Sequence, residues 1–248
     1  MLRQITKYGI MILAGIYLLF AFVIIPGKAD TDKCKGVFIA ISDSTGNVMT
    51  RESLIELLKE ADLDPNGKEM DSIMCRDIEK HIASLSVVNE CQVYKTTGNY
   101  VDIAVNCRIP ILKINTATGE GFYIDSLGKK ITNLYRPLHL PVATGHVNDS
   151  ILEKDVCEIA NAINRNKFWQ AQIEQIHFEE NGEIILVPRV GNHIVEFGKA
   201  ENAERKLEDL YAFYQKGLNV IGWNKYSKLS LKYPGRVIGT KREEKKRQ

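Results

Sequence analysis

Hydrophobic and polar positions divide the chain into a leader of one kind and a long remainder of another. Residues 9–25 are almost wholly apolar, and no charge falls between Tyr8 and Ile25. A helix over residues 8–25 rises about 27 Å, close to the hydrocarbon thickness of a bilayer. The run fits an uncleaved single-span anchor better than a cleaved signal peptide, whose apolar region is roughly 7 to 15 residues long. Gly27 and Ala29, after the Pro26-Gly27 exit, are nevertheless small enough for a signal peptidase. Charge does not orient the span: Arg3 and Lys7 precede it, and Lys28, Lys33 and Lys35 follow it. The long carboxyl-terminal part must fold on one side, and this favours a cytoplasmic amino end.

Beyond the leader the periods change from segment to segment. Residues 36–43 (GVFIAISD) read as a strand ended by Ser44, Thr45, Gly46 and Asn47. Thr50 is placed to cap a helix carrying Leu54, Ile55, Leu57 and Leu58, which stops near Asp64-Pro65-Asn66-Gly67. A second helix is expected from Asp71 or Ser72, with Cys75, Ile78, Ile82 and Leu85 on its buried face. Two alternating runs then flank Thr97-Gly98-Asn99, one through Val87, Cys91 and Val93, the other from Val101 to Ile109. The order strand, helix, helix, strand, strand suits a sheet with two helices on one face and the other face wet.

After Pro110 the pattern is mostly β. Residues 121–124 (GFYI) and 129–131 flank a turn at Asp125-Ser126-Leu127-Gly128. A helix is expected over 149–164, strands over 171–179, 183–190 and 193–197, and a further amphipathic helix over 201–218. Strands over 226–233 and 236–241, joined at Pro234-Gly235, close the chain before a charged tail at 242–248. The fold class is therefore α+β.

Composition narrows the function classes. The balance of 33 basic to 31 acidic residues leaves a formal charge of +2, which argues against nucleic-acid binding. The five cysteines, at 34, 75, 91, 107 and 157, show no CxxC or Cys/His metal spacing. Their apolar phase fits buried core thiols, and one or two disulfides with an odd thiol left over is the alternative in an oxidising compartment. Catalytic patterns are thin. Ser126 and Lys129 match a serine-x-x-lysine spacing, but they straddle a tight turn and no Lys-Thr-Gly or Ser-Asp-Asn partner follows. The histidines at 81, 139, 146, 177 and 193 form no HxxxH or HxH pair, and neither a P-loop nor a GxSxG elbow occurs. No catalytic residue, metal ligand, cofactor site or small-molecule substrate is assigned.

The order of elements resembles the FtsQ/DivIB family of bitopic cell-division proteins. Residues 48–58 (VMTRESLIELL), 78–93 and 101–110 are similar to the family's POTRA domain, closing at Arg108-Ile109-Pro110. Tyr123-Ile124-Asp125-Ser126-Leu127-Gly128 resembles its "I-D-x-x-G" turn, and Leu140-Pro141-Val142-Ala143-Thr144-Gly145 its "L-P-x-x-x-G". Phe197-Gly198-Lys199 with Lys206-Leu207 resembles "G-x…K-L", and Leu229-Ser230-Leu231-Lys232-Tyr233 the closing "D-L-R-Y", with Lys232 where the family often has Arg and no Asp ahead of it. The resemblance implies a cytoplasmic tail at 1–7, a transmembrane helix at 8–26, a βααββ POTRA-like domain at 34–113 and a β-rich domain at 114–241 with helices on one face. It implies a non-enzymatic septum scaffold of the inner membrane with periplasmic domains. Its expected partners are FtsB and FtsL, and more widely FtsK and FtsW/FtsI, with FtsB and FtsL held by strand addition along Tyr233, Arg236, Val237, Ile238, Gly239 and Thr240. The runner-up is a membrane-anchored POTRA-type factor for envelope-protein transport or assembly.

Overall fold

The computed structural model describes residues 33–43, 48–115 and 121–243, together with 15, 17, 46 and 119. The expected tail at 1–7 lies outside the described residues. So does the expected span at 8–26, apart from Gly15 and Tyr17, and so do residues 244–248. Among the described residues no helix is long and apolar enough to cross a membrane.

The first unit is built on three strands: β1 (Gly36–Ser42), β2 (Val88–Thr96) and β3 (Tyr100–Cys107), in the spatial order β1-β3-β2. β1 runs parallel to β3, and β2 and β3 form the antiparallel hairpin that the alternation around Thr97-Gly98-Asn99 predicts. Helices α1 (Arg51–Glu60) and α2 (Cys75–Ala83) cover one face. α1 starts where the sequence places it, because Thr50 and Ser53 form a reciprocal capping box, with each backbone N–H donating to the other's hydroxyl oxygen at 3.1–3.2 Å. α2 starts later than expected. Met70–Ser72 makes a single 3₁₀ turn, and the chain then extends at Ile73 so that this side chain is buried in the same core as Ile78 and Ile82. Burying Ile73 outweighs continuing the helix through Ser72.

The second unit is a nine-stranded mixed sheet, β12-β11-β10-β9-β8-β7-β4-β5-β6. Its strands are β4 (Leu112–Asn115), β5 (Gly121–Ile124), β6 (Lys130–Ile131), β7 (Val142–Gly145), β8 (Ile173–Phe178), β9 (Ile184–Pro188), β10 (Ile194–Gly198), β11 (Tyr226–Ser230) and β12 (Ile238–Lys241). Neighbouring strands are antiparallel except β4 with β7, β7 with β8, and β10 with β11. The helical run α3 comprises Asp149–Ile151, a π-helical Leu152–Val156 and Cys157–Asn164. α4 is Lys167–Gln172, and α5 comprises Ala203–Phe213, a π-helical Tyr214–Leu218 and Asn219–Ile221. These helices and one sheet face share a core in which Trp169, Tyr214, Phe178 and Phe197 are among the largest fully buried side chains. The opposite face is wetter, and there Lys228 pairs with Glu196 across β11 and β10 at 2.7 Å.

Five strands differ from expectation. β4 and β7 were not foreseen; they pair in parallel through Lys113–Val142 and Ile114–Ala143, beside a Lys113 N–H donated to the Pro141 carbonyl. The strand expected from residue 171 begins only at Ile173, because Asn166 caps the short α4 through the Phe168 N–H and the helix buries Trp169. The closing strands are shorter than 226–233 and 236–241: the turn at Pro234-Gly235 takes up Tyr233 and Arg236, whose N–H donates to the Tyr233 carbonyl at 3.2 Å.

The units share structure at their junction. Ile131 of β6 is fully buried in the smaller core, with Tyr123 and Leu134 packed against the same cluster.

Candidate functional site

β12 is an end strand of the larger sheet: it pairs with β11 alone, through Ser230–Ile238, Leu229–Gly239, Lys228–Thr240 and Tyr226–Lys241. Its outer edge therefore presents backbone N–H and C=O groups that no neighbouring strand among the described residues satisfies, the geometry that lets an extended segment add to a sheet. A register shift falls between Tyr226 and Lys228. Past the strand, the Arg242 N–H donates to the Lys225 carbonyl at 3.0 Å and its guanidinium donates to the Asn192 carbonyl, which fixes the end of β12 to the sheet.

The six expected contact residues do not form one strand. Ile238, Gly239 and Thr240 lie on β12, and the Ile238 side chain is 47% exposed. Tyr233, 60% exposed, and Arg236, also exposed, sit at the preceding turn. Val237 points the other way and packs against the larger core. Gly239 lies under a ring from further along β11: a Cβ there would stand 2.5 Å from the Tyr226 ring. The accessible surface is thus the β12 edge with Ile238 beside Tyr233 and Arg236, and Gly239 and Val237 serve to seat it.

The "I-D-x-x-G" turn, read from sequence as a family motif, holds the two units together. Asp125 is 7% exposed; its Oδ2 accepts from Arg108 Nη1 at 2.9 Å, and its Oδ1 accepts the N–H groups of Leu127 and Lys129, each at 2.9 Å. Arg108 in turn donates its backbone N–H to the Val87 carbonyl at 2.9 Å. Gly128 adopts φ +76°, and a Cβ there would meet Cys157 Sγ at 2.6 Å, so both backbone and space demand glycine. The Arg108–Asp125 pairing was not legible in the sequence, since it joins residues of two segments that were assigned to different units.

Ser126 and Lys129 are both exposed, on opposite sides of that turn. The Ser126 carbonyl accepts from Asn161 Nδ2 at 2.9 Å, and no hydrogen bond joins its hydroxyl to Lys129. Among the described residues no three or more His, Cys, Asp or Glu side chains converge as a metal-ligand set. His193 is buried: its Nε2 lies 2.8 Å from the Tyr214 hydroxyl, and burial, with Arg242 nearby, lowers its pKa from the ordinary value. His177 Nδ1 lies 3.0 Å from the Thr144 hydroxyl, which also accepts from Gln175 Nε2 at 2.8 Å. All five cysteines are free thiols. Burial first, then Glu79, pushes Cys91 up to about 11; burial first, then Asp43, does the same to Cys107.

Residues 32–106 match the POTRA-like domain, the span that holds the three-stranded sheet, bar the last residue of β3, and its two helices. No curated protein matches the chain. Residues 109–240, which take in all nine strands of the larger sheet bar the last residue of β12, match the family described as FtsQ/DivIB, C-terminal related. With more than half its length in that match, the chain belongs to the FtsQ/DivIB family, a non-enzymatic scaffold family of membrane-associated division-site proteins whose domains support a cell-division role.

Proposed function

We propose that this chain is a bitopic divisome scaffold: residues 8–26 anchor it in the inner membrane with a cytoplasmic amino end, and residues 34–113 and 114–241 work in the periplasm at the septum. In that position it links early and late division proteins, FtsK and FtsW/FtsI among them. It recruits FtsB and FtsL by adding a partner strand to β12. The single observation that supports this reading is the β12 edge itself, an unpaired strand edge with Ile238 and Tyr233 exposed beside it.

Proline removes a main-chain donor and is tolerated at sheet edges, so it tests a main-chain binding mode with little demand on the core. Val237→Pro and Lys241→Pro, whose N–H groups alternate with those of Ile238 and Thr240 and so face away from β11, are introduced separately into the full chain and abolish co-purification of FtsB and FtsL while the thermal midpoint stays near that of the wild type. Undiminished capture by both folded variants removes β12 as the site. A fluorescent fusion collects at mid-cell, and depletion gives filamentous cells. Envelope-protein assembly defects without filamentation would favour the transport reading instead.

A further inference from the structure

The smaller sheet has one face under α1 and α2 and the other face open. Strand alternation and register place the even-numbered residues of β1, β3 and β2 on the open face, and one row across it reads Phe38, Asp102, Tyr94. The two aromatic residues are 59% and 49% exposed. Tyr100, one row away, supports the Phe38 ring at a centroid distance of 5.1 Å and an interplanar angle of 42°. Between the aromatics, Asp102 Oδ1 is shut off from solvent and has no hydrogen-bond partner among the described residues.

That carboxylate oxygen calls for an external donor. Buried acceptors are normally satisfied, and an unmet one on a carboxylate carries a cost with no local return. None of the outward positions on the three strands holds a Lys or Arg; the other charge among them is Glu90. Lys35 and Lys95 fall on the opposite phase, and Lys95 Nζ is tied to the Met70 carbonyl. Beside the aromatic row, small residues leave a hollow of about 550 Å³ floored by Ala40 and Ala104 and edged by Glu90.

We propose that this open face binds a partner polypeptide through one of its arginine side chains. The guanidinium stacks between Phe38 and Tyr94 and donates to the Asp102 carboxylate, which turns about its side-chain torsions to present Oδ1, while the residues next to the arginine lie in the Ala40–Ala104 hollow. Arginine fits better than lysine because its group is flat, weakly hydrated and forked: it presents faces to the rings and N–H groups to the carboxylate at once. The surface lies on a different unit from β12, so it stands or falls independently of the FtsB/FtsL reading.

The test uses the full chain in detergent micelles and a fluorescein-labelled alanine-rich hexapeptide with one central arginine, read by fluorescence anisotropy. The arginine peptide binds at roughly millimolar concentration or better, the weak end of specific recognition. Its citrulline counterpart, neutral and of the same shape, binds about tenfold more weakly, a difference near 1.4 kcal/mol. Asp102→Asn weakens the arginine peptide by a similar factor, Tyr94→Ala weakens it severalfold without relying on the carboxylate, and Lys241→Pro leaves it unchanged. No binding, equal binding of the arginine and citrulline peptides, or undiminished binding by folded Asp102→Asn or Tyr94→Ala overturns the proposal.

Discussion

Asp125 shows how one side chain can serve as cap, ion-pair partner and clamp. Its two oxygens are divided between roles: Oδ1 holds the turn through Leu127 and Lys129, and Oδ2 holds Arg108. Removing the carboxylate leaves two turn N–H donors without their acceptor and a largely covered guanidinium without its partner, whereas removing Arg108 leaves the turn bonds in place. Asp125→Ala is therefore expected to cost about 3 kcal/mol and Arg108→Ala about 1–2 kcal/mol in urea unfolding; the reverse order would show that the ion pair, not the turn, dominates. The thiols give a second residue-scale outcome. Cys91 and Cys107 are raised from 9.0 to about 11 in the fold. A group whose folded pKa lies above its unfolded value lends stability that is complete below the unfolded value and lost as pH rises through the folded one. Stability should thus fall between pH 9 and 11, and serine at both positions should flatten that loss. At neutral pH both thiols resist alkylation until the domain unfolds.

At the scale of elements, what was legible in the sequence was what local chemistry decides. α1 was readable because Thr50 caps it and its apolar residues keep one face; the β2–β3 hairpin was readable from alternation on both sides of Thr97-Gly98-Asn99. α3 and α5 were readable because buried residues recur every three or four positions, at Leu152, Val156, Ile159 and Ile163 in one and at Leu207, Leu210, Tyr214 and Leu218 in the other. β4 and β7 were not readable, since each is four residues long, and their mutual pairing, which joins residues about thirty apart, decides their state. The same holds for the candidate surfaces. The last strand was legible as an edge, but not that Val237 turns inward, and the Phe38–Asp102–Tyr94 row exists only once three separated segments are in register. β12 is held by its pairing with β11, and the Tyr226 ring fills the space that a side chain at Gly239 would take. Gly239→Ala pushes that ring from its place against Phe213, so amide exchange along β12 should quicken about tenfold or more while β8 and β9 keep their protection. Unchanged β12 protection would mean that the ring yields without loosening the strand.

At the scale of the molecule, the decisive feature is that the smaller core is completed by the larger sheet. Between β3 and β4 only residues 108–111 intervene, and they are not slack: Ile111 is buried and its N–H donates to the Ile124 carbonyl at 2.8 Å. Ile131 is fully buried among Leu54, Ile82 and Ile103 of the first unit although it belongs to the end strand of the second. Around it, the Thr132 N–H donates to Ser86 Oγ at 2.9 Å and the Tyr135 N–H to the Val48 carbonyl at 3.2 Å. The open face of the smaller sheet and the β12 edge are therefore held at a fixed orientation to each other. Two internal probes test this coupling. Both tryptophans, Trp169 and Trp223, belong with the larger core, while Cys91 and Cys107 lie in the smaller one. In the wild type, tryptophan fluorescence and thiol labelling should report one urea midpoint, as a single cooperative unit requires. Ile131→Ala, which removes a buried side chain without adding charge, should lower that midpoint by a loss of about 2–4 kcal/mol. Ile131→Asp, which places a carboxylate in the shared core, should split the transition, with the thiols exposed at lower urea than the tryptophans. If the two midpoints stay together in Ile131→Asp, the coupling runs through Arg108 and Asp125 rather than through the core, and Asp125→Ala becomes the variant that separates them.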